Sequence, residues 1–192
     1  MHIDPQRPAV TIFPFGRPDC RGHLTASPDH IWIEDREDHV VEERADSRGS
    51  FAGHVLNTRW DKLHLLYFTS YALWNYFTTP FLLAQPGVDV SEIGSHEEHG
   101  ETWQRLQVRF PSTIPTHNAE QVFYFNEKGL LQRIDYVTEV ARGIASHYCF
   151  DHASFSGLVF PTFRRVVGRT STGPLISGRT RVLLLISDVL VL

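Results

Sequence analysis

Between Leu63 and Ala84 the chain runs for 22 residues without a formal charge (LHLLYFTSYALWNYFTTPFLLA) and places there seven of its 23 aromatic side chains. No other segment is as apolar on every side, so the fold must be built to hide it. The length would suit a membrane span, which needs about 20 predominantly apolar residues. His64, Thr69, Ser70, Asn75, Thr78, Thr79 and Pro80 interrupt it, however, and the flanks Asp61–Lys62 and Gln85–Pro86 carry no basic cluster. No membrane span is therefore expected. The pattern predicts a buried helix that starts near Trp60–Asp61, where Asp61 can cap the first turn, and breaks before Pro80. Leu63, Tyr67, Tyr71 and Trp74 line one face of it, and Leu66, Leu73 and Phe77 a second.

The remaining composition narrows the class. A chain of 192 residues with 42% hydrophobic content can bury a substantial core, and a single domain over 1–192 is expected. The 18 basic and 22 acidic residues are spread along the chain without a Lys/Arg run, which disfavours a nucleic-acid partner. Two cysteines, Cys20 and Cys149, neither build a disulfide framework nor offer zinc-site spacing. The N-terminal MHIDPQRPAV has no apolar signal-peptide core, so a cytoplasmic location is expected.

On both sides of the helix the hydrophobic period is two. Ala9–Phe15, Gly22–Ala26, His30–Asp35 and His39–Glu43 read as short strands, with turns that include Ser27–Pro28. Val90–Glu97, Glu101–Phe110, Gln121–Asn126, Leu130–Val140, Ala145–His152, Leu158–Gly168 and Arg181–Leu192 follow. Asn126–Gly129 supplies a turn with Gly129 available for the left-handed region, and Arg142–Gly143 suits a two-residue hairpin. So many consecutive strands exceed what a flat sheet tolerates. The expected fold class is mainly β (α+β): a strongly curved antiparallel sheet, a half-barrel or open barrel, wrapped around the buried aromatic helix.

Hairpin register leads from strands to a candidate site. With Arg142 and Gly143 at the centre of a turn, Thr138 faces His147 and Tyr136 faces Cys149. An Asn126–Gly129 turn then sets Phe123 against Gln132 and brings His117 opposite Thr138. His117, Thr138 and His147 would form one row across three strands, on the face that carries Phe123, Phe125, Ile134 and Tyr136. One residue of slip would move each histidine to the other face. Tyr124, Arg133 and Asp135 read as a core tyrosine and a solvated charge face. On the helix, Asn75 beside Trp74 is a buried amide that must find partners, and it can offer them to a ligand.

Other motifs carry less. His96-Glu97-Glu98-His99 lacks the spacing that sets two histidines on one helical face, so no metal site is expected there. There is no Gly-x-Ser-x-Gly elbow and no phosphate loop, since Gly168–Gly173 is not followed by Lys-Ser/Thr. No cofactor is implied. Cys149 reads as a small buried hydrophobe.

Trp60-Asp61, Leu63-His64, Tyr67-Phe68, Tyr71-Ala72 and Trp74-Asn75-Tyr76 open a pattern that resembles an uncharacterised family of bacterial and fungal proteins. It continues through Gly100-Glu101, Trp103, Phe110-Pro111, Thr116-His117, Phe123-Tyr124-Phe125, His147-Tyr148 and Pro161-Thr162. The order of elements is also similar to the lipoprotein-carrier (LolA-like) half-barrel. That resemblance implies a concave face able to hold acyl chains against internal helices. Such domains usually open with an amphipathic helix, whereas this chain begins with strand-like residues, and the part of the half-barrel so left bare implies a shortened chain or a dimer.

The expected function is binding of a hydrophobic small molecule or acyl chain, with Tyr71, Trp74, Phe77, Phe123 and Phe125 supplying contact area and His117, Asn75 and Thr138 polar contacts. An alternative is a cofactor-independent isomerase, cyclase or lyase in which His117 or His147 moves a proton and Tyr136 stabilises an oxyanion. A second alternative is a homo-oligomeric interaction protein that pairs through the C-terminal strand VLLLISDVLVL, as in a homodimer.

Overall fold

The computed structural model describes residues 1–26, 29–170 and 172–192. The chain is mainly β, with a strongly curled antiparallel half-barrel sheet and, among the described residues, one α-helix. Its contacts divide it into two compact units, Met1–Leu82 with Ser112–His117 and Val140–Arg142, and Leu83–Pro111 with Asn118–Glu139 and Gly143–Leu192.

In the first unit, β1 (His2–Asp4), β2 (Ala9–Ile12), β3 (Arg21–Ala26), β4 (Asp29–Glu34) and β5 (Val40–Ala45) form an antiparallel meander in chain order. The turn expected at Ser27–Pro28 lies outside the described residues. Alternation gives the meander one apolar face: Val10, Leu24 and Ile31 are mutually opposite on β2, β3 and β4, and all three are buried. The aromatic segment forms α1 (Lys62–Thr78), which packs on these strands. Its start is fixed by a capping box, in which the His64 amide donates to the Asp61 carboxylate at 2.8 Å and the Asp61 amide to His64 Nδ1 at 3.3 Å. Thr79 is its C-terminal cap, immediately before Pro80. Being apolar nearly all round, the helix buries Leu63, Leu66, Tyr67, Tyr71, Trp74 and Tyr76 together. No described helix is long and apolar enough to cross a membrane.

The second unit is an eight-stranded antiparallel sheet. β6 (Asp89–Glu98), β7 (Glu101–Arg109), β8 (Glu120–Phe125), β9 (Leu131–Thr138), β10 (Gly143–Phe155) and β11 (Leu158–Thr170) follow one another in space. β12 (Gly173–Pro174) and β13 (Thr180–Leu185) both pair with the outer edge of β11. His99–Gly100 and Ser156–Gly157 close two-residue hairpins with positive φ at both positions, the geometry that matches strand twist. Gly129 takes the left-handed conformation predicted for it.

The sequence pattern differs from the structure in two respects. The strands divide between two sheets instead of one meander, because the 46–88 segment between β5 and β6 holds a loop, α1 and two short 3-10 turns and offers no ladder. The C-terminal strand stops at Leu185, well before Leu192. Beyond Ile186, whose amide still reaches Thr162 O, Asp188 accepts from the Val189 amide in a local bond that replaces strand pairing.

Candidate functional site

One face of the second unit is apolar, and its side chains align in rows across the strands. Leu106, Phe123, Ile134, His147, Val166 and Val182 are successive partners on β7, β8, β9, β10, β11 and β13. A neighbouring row runs Val108, Gln121, Tyr136, Ala145 and Gly168. The imidazole of His147 is fully buried in this face, with the Tyr136 ring edge-on to it at a centroid distance of 6.4 Å. From β7 to β13 these rows hold neither carboxylate nor Lys/Arg, the composition of a surface that contacts apolar matter, while on β6 the partner of Leu106 is Glu92.

The register of β9 and β10 differs from the expected one. Thr138 faces Gly143, Tyr136 faces Ala145 and His147 faces Ile134, because β9 and β10 are joined through four residues, 139–142, with Arg142 at φ 53°. Opposite positions therefore sum to 281 in place of 285. The slip is an even number of residues, so every side chain keeps its predicted face while its row neighbours change. A similar displacement on β8, with an irregularity between Tyr124 and Phe125, sets Phe123 against Ile134. Thr138 and His147 consequently share a face without sharing a row.

His117 is not on a strand, since β8 begins only at Glu120. It lies in the first unit, 3% exposed, between two phenols of α1: Nδ1 is 3.0 Å from the Tyr71 hydroxyl and Nε2 3.1 Å from the Tyr76 hydroxyl. Burial, with the Arg48 charge as a lesser cause, lowers its pKa to about 3. The ring is therefore neutral near pH 7, with one nitrogen donating to a phenol and the other accepting from one. Asn75 Nδ2 donates to the carbonyls of Tyr71 and Pro115, both at 2.7 Å, while Arg48 Nη1 donates to Thr116 O at 3.0 Å. Trp74 Nε1 donates to Asp4 O at 2.8 Å. Tyr71, Trp74, Asn75 and His117 thus fasten α1 to the 112–117 segment and to β1, and Phe77 is half-buried on the same helix.

The opposite face of the second unit carries a polar cluster that the sequence pattern did not separate from a solvated face. Arg133 is bonded to Asp135 through Nε at 3.0 Å and Nη2 at 2.8 Å, to Glu98 through Nη1, and to the Tyr124 hydroxyl at 2.9 Å. Asp135 also accepts from Tyr124 at 2.8 Å and Ser146 at 2.6 Å, and Arg169 Nε stands 3.1 Å away. Glu98 accepts from Tyr148 at 2.6 Å and pairs with His96 at 3.0 Å. The Arg133 and Asp135 side chains are only 3% and 7% exposed. Burial would raise the Glu98 carboxyl, but Tyr148, Arg133 and His96 outweigh it and hold it below its ordinary range. Burial and the carboxylates beside them push the Tyr124 and Tyr148 phenols up. The available signal was positional: Arg133 and Asp135, two apart on β9, must project from one face, and Tyr124 and Tyr148 flank Arg133 in register. His96 and Glu98 belong to this cluster. Among the described residues, the ligand atoms of Asp35, Glu37 and His39 also lie close enough to share a cation, although the Asp35 carboxylate there accepts the Glu37 and His39 amides as a turn.

The curled half-barrel defines the structural class, and it is compatible with hydrophobic ligand binding. No protein-family model and no curated protein matches the chain. It is similar to the solved structure of a DUF1329 family protein from Desulfovibrio piger, at 14% identity and a TM-score of 0.46, over 78% of this chain and 58% of that one. It is also similar to a putative outer membrane lipoprotein-sorting protein domain from Vibrio parahaemolyticus, at 9% identity and a TM-score of 0.43, over 88% and 66%. The chain spans less than two thirds of the length of each.

Proposed function

We propose that the protein binds a hydrophobic small molecule or acyl chain along the apolar face of its half-barrel sheet. The observation that carries this is the row from Leu106 to Val182, six side chains on six strands without a carboxylate or Lys/Arg among them. At about 4.8 Å per strand the row extends roughly 24 Å, a length suited to an extended acyl chain. Phe123 and Ile134 supply contact area, and His147 and Tyr136 supply the few polar atoms that orient such a ligand. Native mass spectrometry of the freshly purified protein is expected to reveal a retained apolar molecule. A clean apo mass together with no binding of the neutral dye N-phenylnaphthylamine would overturn the assignment.

A second reading, self-association, is favoured by the unequal edges of the same sheet. At β6 the edge is bulged between Glu92 and Ser95, and Arg105 donates to the carbonyls of Ile93 at 2.9 Å and Gly94 at 3.4 Å. At β13 the edge strand is apolar and exposes Leu183 and Leu185. A second copy is the occupant that this apolar edge strand fits, pairing edge to edge as a dimer. Light scattering should give a dimer that Leu183→Lys dissociates, and a monomer at all concentrations would dismiss the pairing.

A further inference from the structure

The edge strand β6 is almost entirely exposed: from Asp89 to Glu98 only His96 and Glu98 are partly shielded from solvent. Its apolar side chains Val90 and Ile93 are exposed, and its ladder with β7 is interrupted between Glu92 and Ser95, where Gly94 takes φ 83°. The two shielded residues belong to the hairpin end and lie on the polar face. The His96 ring stands edge-on to Tyr124 at 5.3 Å and 6.2 Å from Trp103, and those rings form one buried cluster with Tyr148 and Val167. Glu98 fastens this end. Its carboxylate accepts from the Tyr148 hydroxyl at 2.6 Å and from Arg133 Nη1, and it pairs with His96 Nε2 at 3.0 Å. Since β10 is four strands from β6, about 19 Å at ordinary spacing, the Tyr148 contact requires the hairpin end to curl across β7 and β8. An edge strand that buries no apolar side chain is the kind of segment that opens locally, below the cost of global unfolding.

We infer that β6 is a strap, fastened by Glu98 over the polar face and released when that carboxylate is protonated, which bares the Trp103, Tyr124 and Tyr148 cluster. Release strands no charge, because Arg133 keeps both of its bonds to Asp135. The ionisable groups around the carboxylate are His96 and, at 3.5 Å, His99 on the strap and its turn, Glu101 opposite it on β7, Tyr124 on β8, Arg133 and Asp135 on β9, and Tyr148 on β10; Arg169 on β11 meets Asp135 behind them. Burial would raise the Glu98 carboxyl, but Tyr148, Arg133 and His96 hold it low. The strap is therefore fully fastened above about pH 4.3 and loosens as pH falls through the native value. It works on the polar face and does not depend on what the apolar face binds.

The test is amide hydrogen exchange of the full chain, read by mass spectrometry and corrected for intrinsic rates. At pH 7 the wild-type β6 amides should be at least about tenfold less protected than those of β9 and β10, the mark of local opening. Glu98→Gln keeps the shape and loses the charge, and should lower β6 protection at least about tenfold further, the worth of a charge-assisted bond. Glu97→Gln, on the exposed neighbour that accepts from Thr102, should leave it unchanged. Acidification to pH 4 should lower β6 protection more in the wild-type protein than in Glu98→Gln. If Glu98→Gln does not fold, as judged by circular dichroism, Tyr148→Phe is measured in its place and should lower β6 protection by a smaller factor, because it removes one bond to the carboxylate. Equal protection of β6 and β10 in the wild-type protein overturns the strap. Protection of β6 that neither variant alters overturns Glu98 as its fastening, and an equal acid response with and without Glu98 overturns its protonation as the trigger.

Discussion

Arg133 and Asp135, two residues apart on β9, form a two-point ion pair, Nε to Oδ1 at 3.0 Å and Nη2 to Oδ2 at 2.8 Å, and both are buried. Because Glu98, Tyr124 and Ser146 complete the same cluster, removing one member strands the others. Asp135→Asn is expected to destabilise the protein by roughly 3–5 kcal/mol, the usual cost of leaving a buried charge without its partner. The measurement is the shift in denaturant midpoint at unchanged slope. The double change Arg133→Met with Asp135→Leu should cost less than the two single changes added together, since neither member of this pair is left facing the other's empty place.

His117 and Glu98 should impose separate acid limbs on stability. The native His117 value of about 3 lies below the unfolded imidazole value of about 6.5. The unfolded chain therefore binds the extra proton, and stability present above pH 6.5 is lost as pH falls towards about 3. The linkage amounts to at most roughly 4–5 kcal/mol. Glu98, also lowered in the folded state, contributes stability that is present above about pH 4.3 and lost as pH falls through its native value. Melting curves from pH 7 to pH 3 should show His117→Gln flattening the limb that begins near pH 6.5. Glu98→Gln should flatten only the portion below about pH 4.3.

Cys149 should be inert in the native protein. It is fully buried and its thiol is pushed up by desolvation, so little thiolate forms and no reagent reaches it. Cys20 is buried as well. A thiol reagent such as dithionitrobenzoate is expected to label neither cysteine rapidly at pH 8 and both after denaturation. Fast native labelling of Cys149 would contradict the burial.

Much of this architecture is legible in the sequence because it is written in local periodicity. The charge-free aromatic segment, its Asp61 cap and its Pro80 stop delimit α1 to within a residue or two. Period-two alternation marks most of the strands and assigns Phe123, Ile134, Tyr136 and His147 to one face. The rows are less legible, since they depend on loop geometry: four residues at 139–142 in place of a two-residue turn moved His147 from Thr138 to Ile134. His117 precedes by three residues the strand that period-two alternation extends to it, and its phenol partners lie on α1, more than 40 residues away in sequence. The Arg133 cluster was hidden for a different reason. Composition cannot distinguish a charged face in water from one whose charges are enclosed by Glu98, Tyr148 and Trp103.

The packing of α1 on its sheet rests on one absent side chain. Gly22 on β3 lies under the helix, where a Cβ would come within 2.5 Å of Leu66 Cδ1 and 3.0 Å of the Phe15 ring. Leu66 is fully buried and Phe15 partly so. Gly22→Ala should therefore destabilise the protein by roughly 1–3 kcal/mol through overpacking, although alanine suits a strand better than glycine. Leu66→Ala alone should cost about 2–5 kcal/mol by opening a cavity. Combined, the two changes relieve each other, because the new methyl occupies part of the space that the leucine vacates. The double variant should be more stable than the sum of the single losses predicts, by about 1 kcal/mol or more. Strict additivity in denaturant melts would mean that the contact between β3 and α1 is looser than this spacing requires.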